Sequence, residues 1–157
     1  MLLSRNVAGT HASREAPRPV QPLVTHRFVA TGELNHHGTL FGTVMAQWFV
    51  EAAFLCAVDT VGDSDSVVFV RLHDMDFVTP VHLGETLHFE AVPLVAGTTS
   101  LTVHARARVG ERPVTRGFVT FVHVDGQGRP LPHGLRLEPS SDEERSLVRE
   151  AQSYLEA

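Results

Sequence analysis

The spacing of apolar and polar residues divides the chain into a strand, a loop, one long helix and a run of further strands. Val24, Thr25, Phe28 and Val29 give residues 24–30 a β-branched and aromatic character, and Thr31-Gly32 closes the run, which predicts a first strand. Residues 33–38 read as a loop. Residues 43–61 contain almost no turn former, are rich in Ala, Met, Leu and Phe, and stop at Gly62, a residue suited to a helix C-terminus. That pattern predicts one long helix. Apolar side chains cover most of its circumference, so it cannot be a surface helix with one wet face and must be enclosed. Residues 66–72, 86–95, 100–109 and 114–124 supply the enclosure as four more strands, separated by Pro80, Gly84, Gly97 and Gly110-Glu111-Arg112-Pro113. Such short links favour antiparallel pairing. Alternation is clearest in Leu101, Val103, Ala105, Ala107 and Val109, with Thr102, His104, Arg106 and Arg108 between them. One face of that strand is expected to pack and the other to meet solvent or ligand.

Length and composition narrow this picture. With 157 residues, 43% hydrophobic and 20% charged, the chain suits a single packed α+β domain. Residues 1–22 carry Arg5, Arg14 and Arg18 without a continuous apolar core, so they read as a flexible tail rather than a signal peptide. Residues 23–138 form the domain. Residues 139–157 open with Ser141-Asp142-Glu143-Glu144, a capping-box pattern, and place Leu147, Val148, Ala151 and Leu155 on one side of a short helix that packs on the domain or a partner subunit. A net charge of -5 and the lack of any Lys/Arg run argue against nucleic-acid binding. The single cysteine, Cys56, excludes a disulfide framework and a Cys-rich metal site and points to a reducing, cytoplasmic location. The longest apolar stretch, residues 44–58, is interrupted by Gln47 and Glu51 and falls short of the roughly 20 residues that span a bilayer, so no membrane association is expected.

The stretch Leu34-Asn35-His36-His37-Gly38-Thr39-Leu40-Phe41-Gly42, running directly into the apolar helix, resembles the signature of hotdog-fold acyl-CoA thioesterases, in which an Asn-x-x-Gly-x-x-Phe-Gly loop opens the central helix. Downstream, Asp76-Phe77, Pro80-Val81, Gly84-Glu85 and then Gly97 with Ser100 resemble the family's second and third strands and their connection. The order and spacing of these matches over residues 24–126 are more specific than either alone. The resemblance implies a hotdog fold: a five-stranded antiparallel sheet wrapped around one long central helix, here with a short C-terminal helix added. It also implies a homodimer or dimer of dimers joined through sheet edges, with acyl-CoA as ligand and no cofactor besides the coenzyme A of the substrate.

Thioester hydrolysis needs an attacking water and donors for the developing oxyanion. Phe41, Gly42 and Thr43 sit where the helix begins, so their backbone N–H groups are candidate donors. The resemblance places Asn35 where the family has Asn or Asp; its amide either orients water or carbonyl, or makes an Asx turn in the loop. His36 and His37 are a candidate base or contacts for the CoA phosphates, the alternative being exposed loop rings. Gly38, Arg71 and Arg116 complete the candidate substrate contacts, the arginines because guanidinium suits phosphate. No metal site is expected. The family carries a catalytic Asp or Glu about two turns into the helix, and that position here is Val50, which can neither attack a carbonyl nor polarise water. Glu51, one residue on and turned by about 100°, is the substitute candidate, either as a base or as a structural acid paired at the rim. The expected function is hydrolysis of acyl-CoA or acyl-carrier thioesters; the alternative is a non-catalytic acyl-CoA-binding or regulatory domain that has lost the helix acid.

Overall fold

In a computed structural model that describes residues 15–157, the elements run β1 (Arg18–Pro19), β2 (Leu23–Phe28), α1 (Gly42–Val61), β3 (Val67–Phe77), β4 (Thr86–Ala96), β5 (Ser100–Val109), β6 (Arg112–His123), β7 (Leu137–Glu138) and α2 (Asp142–Leu155). Five strands form one antiparallel sheet in the order β2-β4-β5-β6-β3. The sheet curls around α1, which is the hotdog arrangement. Phe49, Ala53 and Ala57 are fully buried against Val103, Ala105, Phe89 and Leu87. Gly62 ends the helix in the left-handed region at φ 93, where a residue without Cβ is favoured.

The enclosure expected of α1 is incomplete. Thr43, Gln47, Leu55 and Asp59 are exposed and Glu51 is partly so, one residue per turn along a single stripe that the sheet leaves open. The helix is also longer than the apolar stretch suggested, and its 20 residues are by length and composition sufficient to cross a membrane. Here its other faces lie in the protein core.

Two sequence expectations need correction. The strand expected over residues 66–72 continues to Phe77, because register shifts between Phe69 and Arg71 and between His73 and Asp76 break the period of two. Asp74 adopts a left-handed φ of 48 at the second shift. Opposite it, Gly117 lets the two backbones approach closely: a Cβ there would lie 3.1 Å from the Met75 Cα, tighter than ordinary packing. The tail expected over residues 1–22 is structured at its C-terminal end, since β1 pairs in parallel with β7 and Val20 is 6% exposed; residues 1–14 lie outside the described residues.

The outer face of the sheet carries α2. Ala151 is buried against a second cluster containing Val92, Leu94 and Phe118. Ser141 caps the helix with the reciprocal Glu144 bond. Three side-chain bonds fasten the helix: Arg116 to Glu150 at 2.8 Å, Arg106 to Glu143 at 2.9 Å, and the Tyr154 hydroxyl to Asp74. As a result only part of the polar face of β5 meets water. Arg106 and Arg108 are exposed, whereas Thr102 and His104 are 1% and 3% exposed. Thr102, Thr120 and His73 form a buried hydrogen-bonded chain with steps of 2.8 and 3.0 Å.

Burial, reinforced by the Arg116 and Arg106 guanidiniums, lowers the His104 pKa to about 3. The unfolded chain, with a His pKa of about 6.5, therefore takes up the proton first. This group leaves stability unchanged above that value and erodes it by about 1.4 kcal/mol per pH unit below it. His73 and His88 are shifted down in the same direction by burial. Urea unfolding of His104→Phe between pH 6.5 and 5, above the range in which carboxylates titrate, is expected to show a shallower loss of stability than the parent. Equal slopes in the two proteins would assign the acid sensitivity to other groups.

Candidate active site

Asn35 organises the loop between β2 and α1. Its side-chain oxygen accepts from the backbone N–H groups of His37 at 2.9 Å and Thr39 at 3.1 Å, and its amide nitrogen donates to the Thr39 hydroxyl at 3.0 Å. Its own backbone N–H reaches the Thr39 carbonyl at 2.7 Å, and the Gly38 N–H returns to the Asn35 carbonyl at 3.1 Å. Gly38 closes this turn with φ 77, a conformation that a side chain would strain. The Asx turn is thus present, and it leaves one of the two Asn35 amide hydrogens without a partner among the described residues.

The same loop presents the start of α1. Phe41 donates its N–H to the Glu33 carbonyl at 2.8 Å, so it is not available as an oxyanion donor, contrary to expectation. Its carbonyl accepts the first helical bond from Met45 at 3.0 Å, and no side chain caps the helix. The N–H groups of Gly42, Thr43 and Val44 precede that bond and have no intrahelical acceptor. Gly42 is exposed, and a Cβ there would meet nothing.

Of these three residues Gly42 borders a cavity of about 290 Å³, which is lined by Asn35, Leu40, Gly42 and Met45 on one side and by Phe77, Val78, Thr79, Pro80, Val81 and Val114 on the other. Phe77 and Val78 are each 59% exposed and lie at the end of β3, an edge strand. The cavity therefore combines an apolar wall, a carboxamide and the positive end of a helix dipole. This is a suitable cradle for a carbonyl joined to an apolar chain. Asp76-Phe77 and Pro80-Val81 carry part of the family resemblance but no expected role in the site; the fold of β3 and its following turn brings this wall to the helix start.

Other expected site residues are placed elsewhere. His36 and His37 are exposed and pack on each other with ring centroids 3.9 Å apart, outside the cavity lining. Arg71 is exposed on β3. Arg116 lies on the outer face of the sheet, where the hydrogen bond to Glu150 raises its pKa and its guanidinium sits 5.7 Å from the Phe118 ring. Glu51 is ion-paired with Arg27 of β2 and accepts from Gln47 at 3.1 Å. Its side chain is 41% exposed, so it is not a buried carboxylate. Arg27 in turn lies over the Trp48 ring at 5.4 Å. Val50 packs against the main core. Among the described residues no carboxylate lines the cavity, and no group of three or more His, Cys, Asp or Glu side chains is placed to hold a metal ion.

The sequence profile of the thioesterase superfamily matches residues 37–115, from the Asn35 loop through α1 to β6. The chain belongs to the thioesterase superfamily. Among its relatives is the acyl-CoA thioester hydrolase YciA of Salmonella typhimurium, 28% identical over 124 residues, covering 73% of this chain and 91% of that protein. Two solved superfamily structures superpose closely. One is an acyl-CoA hydrolase from Staphylococcus aureus in complex with butyryl coenzyme A, coenzyme A and coenzyme A disulfide (TM-score 0.76, 28% identity, 86% of this chain and 82% of that one). The other is an apo-hexameric acyl-CoA thioesterase (TM-score 0.79, 28% identity, 86% and 88% covered).

For this superfamily member the two roles of Asn35 separate by substitution. Asn35→Ala removes the acceptor for two backbone N–H groups, and is expected to cost about 1 kcal/mol and to speed amide exchange at His37 and Thr39. Asn35→Asp keeps the acceptor oxygens and loses the donor, so thermal stability and exchange should stay near the parent. Fast exchange in both variants would show that the amide donor, and not the acceptor, holds the loop.

Proposed function

We propose that the chain hydrolyses acyl-CoA thioesters to a carboxylic acid and free coenzyme A, with no cofactor of its own. The observation that carries this reading is the apolar cavity at the uncapped start of α1, lined by Asn35 and by Gly42, the first residue of the helix. The acyl chain lies along Val78, Val81 and Val114. The thioester oxygen faces the Gly42 and Thr43 amides, which stabilise the charge that develops as water adds to the carbonyl carbon. Collapse of the tetrahedral adduct breaks the C–S bond and releases the thiolate. Superposition on a butyryl-CoA complex and the likeness to the acyl-CoA thioester hydrolase YciA support the same reading.

The lining provides no base, so the proposal includes an oligomer. β3 has a strand on one side only and exposes Val68, Phe69 and Val70 at 45%, 47% and 55%, an apolar edge suited to pairing with a second copy. The basic unit is a homodimer; a hexamer, as in the superposed relative, contains three. In such a dimer each cavity lies near the subunit boundary, and Glu51, presented on the open stripe of α1, is the carboxylate that a second copy brings. The cytoplasmic location expected from the single cysteine belongs to this proposal. The absence of a lining carboxylate favours a second reading, a domain that binds acyl-CoA without cleaving it.

Thiol release from short, long and aromatic acyl-CoAs separates the two. Asn35→Ala and Glu51→Gln are each expected to lower kcat by about 10²-fold or more, with CoA-thioester binding retained. No thiol release by the parent across the panel, with calorimetric binding intact, would leave the binding domain as the function. Unchanged turnover in Glu51→Gln alone would remove Glu51 from the mechanism.

A further inference from the structure

We infer that the cavity at the start of α1 selects short acyl groups that carry no charge, and that Met45 sets their length; this rests on the thioester reading and deepens it. The lining runs from an exposed mouth to a buried floor. Phe77 and Val78 are exposed, whereas Leu40, Met45, Val81 and Val114 are at most 7% exposed. Those four belong to the main core, so the cavity ends on packed side chains. Its volume of about 290 Å³ is at the lower end for small-molecule sites.

Among the floor residues, Val81 and Val114 are β-branched and stiff. Met45 is unbranched and adapts to what packs on it. It is the fourth residue of α1, three after Gly42, and therefore about 4.5 Å further along the helix axis. An acyl chain whose carbonyl lies at Gly42 meets the level of Met45 within one helical turn. The distance from the reacting carbon to the floor is short, and the reach of the Met45 side chain decides how much of it the acyl chain can use.

The chemistry of the lining sets the second limit. None of its residues is ionisable. Several of its polar groups are engaged within the chain: the Thr79 hydroxyl donates to the Pro113 carbonyl at 2.8 Å, the Val78 N–H to the Val114 carbonyl at 2.8 Å, and the Leu40 N–H to the Val81 carbonyl at 2.7 Å. Arg112 donates to the Pro80 carbonyl at 2.6 Å, but it also pairs with Glu85 at 2.6 Å, and neither residue lines the cavity. The Gly42 N–H and one Asn35 amide hydrogen stay open, and these two donors suit the single thioester carbonyl. A carboxylate at the far end of the acyl group would lose its hydration there and meet no cation.

The test measures kcat/KM for thiol release from saturated acyl-CoAs, acetyl to palmitoyl, and from succinyl-CoA, with calorimetry of the matching S-alkyl-CoA thioethers, which cannot be cleaved. The expected maximum is at octanoyl-CoA or shorter, with butyryl-CoA preferred over succinyl-CoA by about 10²-fold. Met45→Ala removes three heavy atoms and should move the maximum up by about three carbons. Met45→Leu keeps the core volume, folds if Met45→Ala does not, and should raise the ratio of octanoyl to hexanoyl turnover. A purely structural role would scale all substrates alike and leave the profile in place. A maximum at decanoyl-CoA or longer, equal use of succinyl-CoA and butyryl-CoA, or a parent-like profile in the folded variants would overturn the inference. No thiol release, with thioether binding that tightens up to S-octyl-CoA and no further, would remove hydrolysis and leave the selectivity standing. Neither release nor any dependence of binding on length would overturn both.

Discussion

Everything in this molecule is arranged around removing α1 from water. The helix has twenty residues, and seven are buried: Met45, Trp48, Phe49, Ala52, Ala53, Cys56 and Ala57. Small residues at 52, 53 and 57 let the sheet approach the helix closely, while Trp48 and Phe49 fill the wider end near the loop. Burying a large side chain such as Phe49 is worth about 1.5–3 kcal/mol, and the sheet must curl to reach several sides of the cylinder at once. Curling fixes where the helix starts relative to the end of β3. The cavity beside Gly42 is the space left between them. The site is thus a consequence of how the core closes.

Much of this was legible in the sequence. The helix showed itself because residues 43–61 lack turn formers and Gly62 can take the left-handed cap. Strand β5 was readable to the residue, from Ser100 to Val109, because its alternation is unbroken. The edge strand was read too short because Asp74 and two register shifts interrupt its period, and no local pattern marks a bulge. The β1–β7 pairing joins residues more than a hundred positions apart and has no local signature. At the site, Gly42 was picked out from its place at the helix start and Asn35 from the resemblance of its loop to the thioesterase signature. The fate of Glu51 was not, because its partner Arg27 lies on another element and its exposure depends on where the sheet stops.

The two faces of the sheet follow different chemistry. Inside, the contacts are apolar and the one thiol, Cys56, is pushed up to about 12 by burial, so it is inert at neutral pH. Outside, arginines on β5 and β6 meet acidic residues of α2, and the polar layer shields Thr102, Thr120 and His104 from water. Exposed pairs of this kind contribute little to stability individually. Their value is in position: they set how α2 lies across the sheet and keep the His104 imidazole dry.

The bond between Tyr154 and Asp74 joins the last turn of α2 to the bulge of the edge strand. During synthesis β3 leaves the ribosome long before α2, and β6, its neighbour in the sheet, also precedes that helix. The edge of the sheet therefore acquires its final tether only after α2 has emerged and docked. The bulge of the edge strand is thus fixed by an element made after all five strands of its sheet.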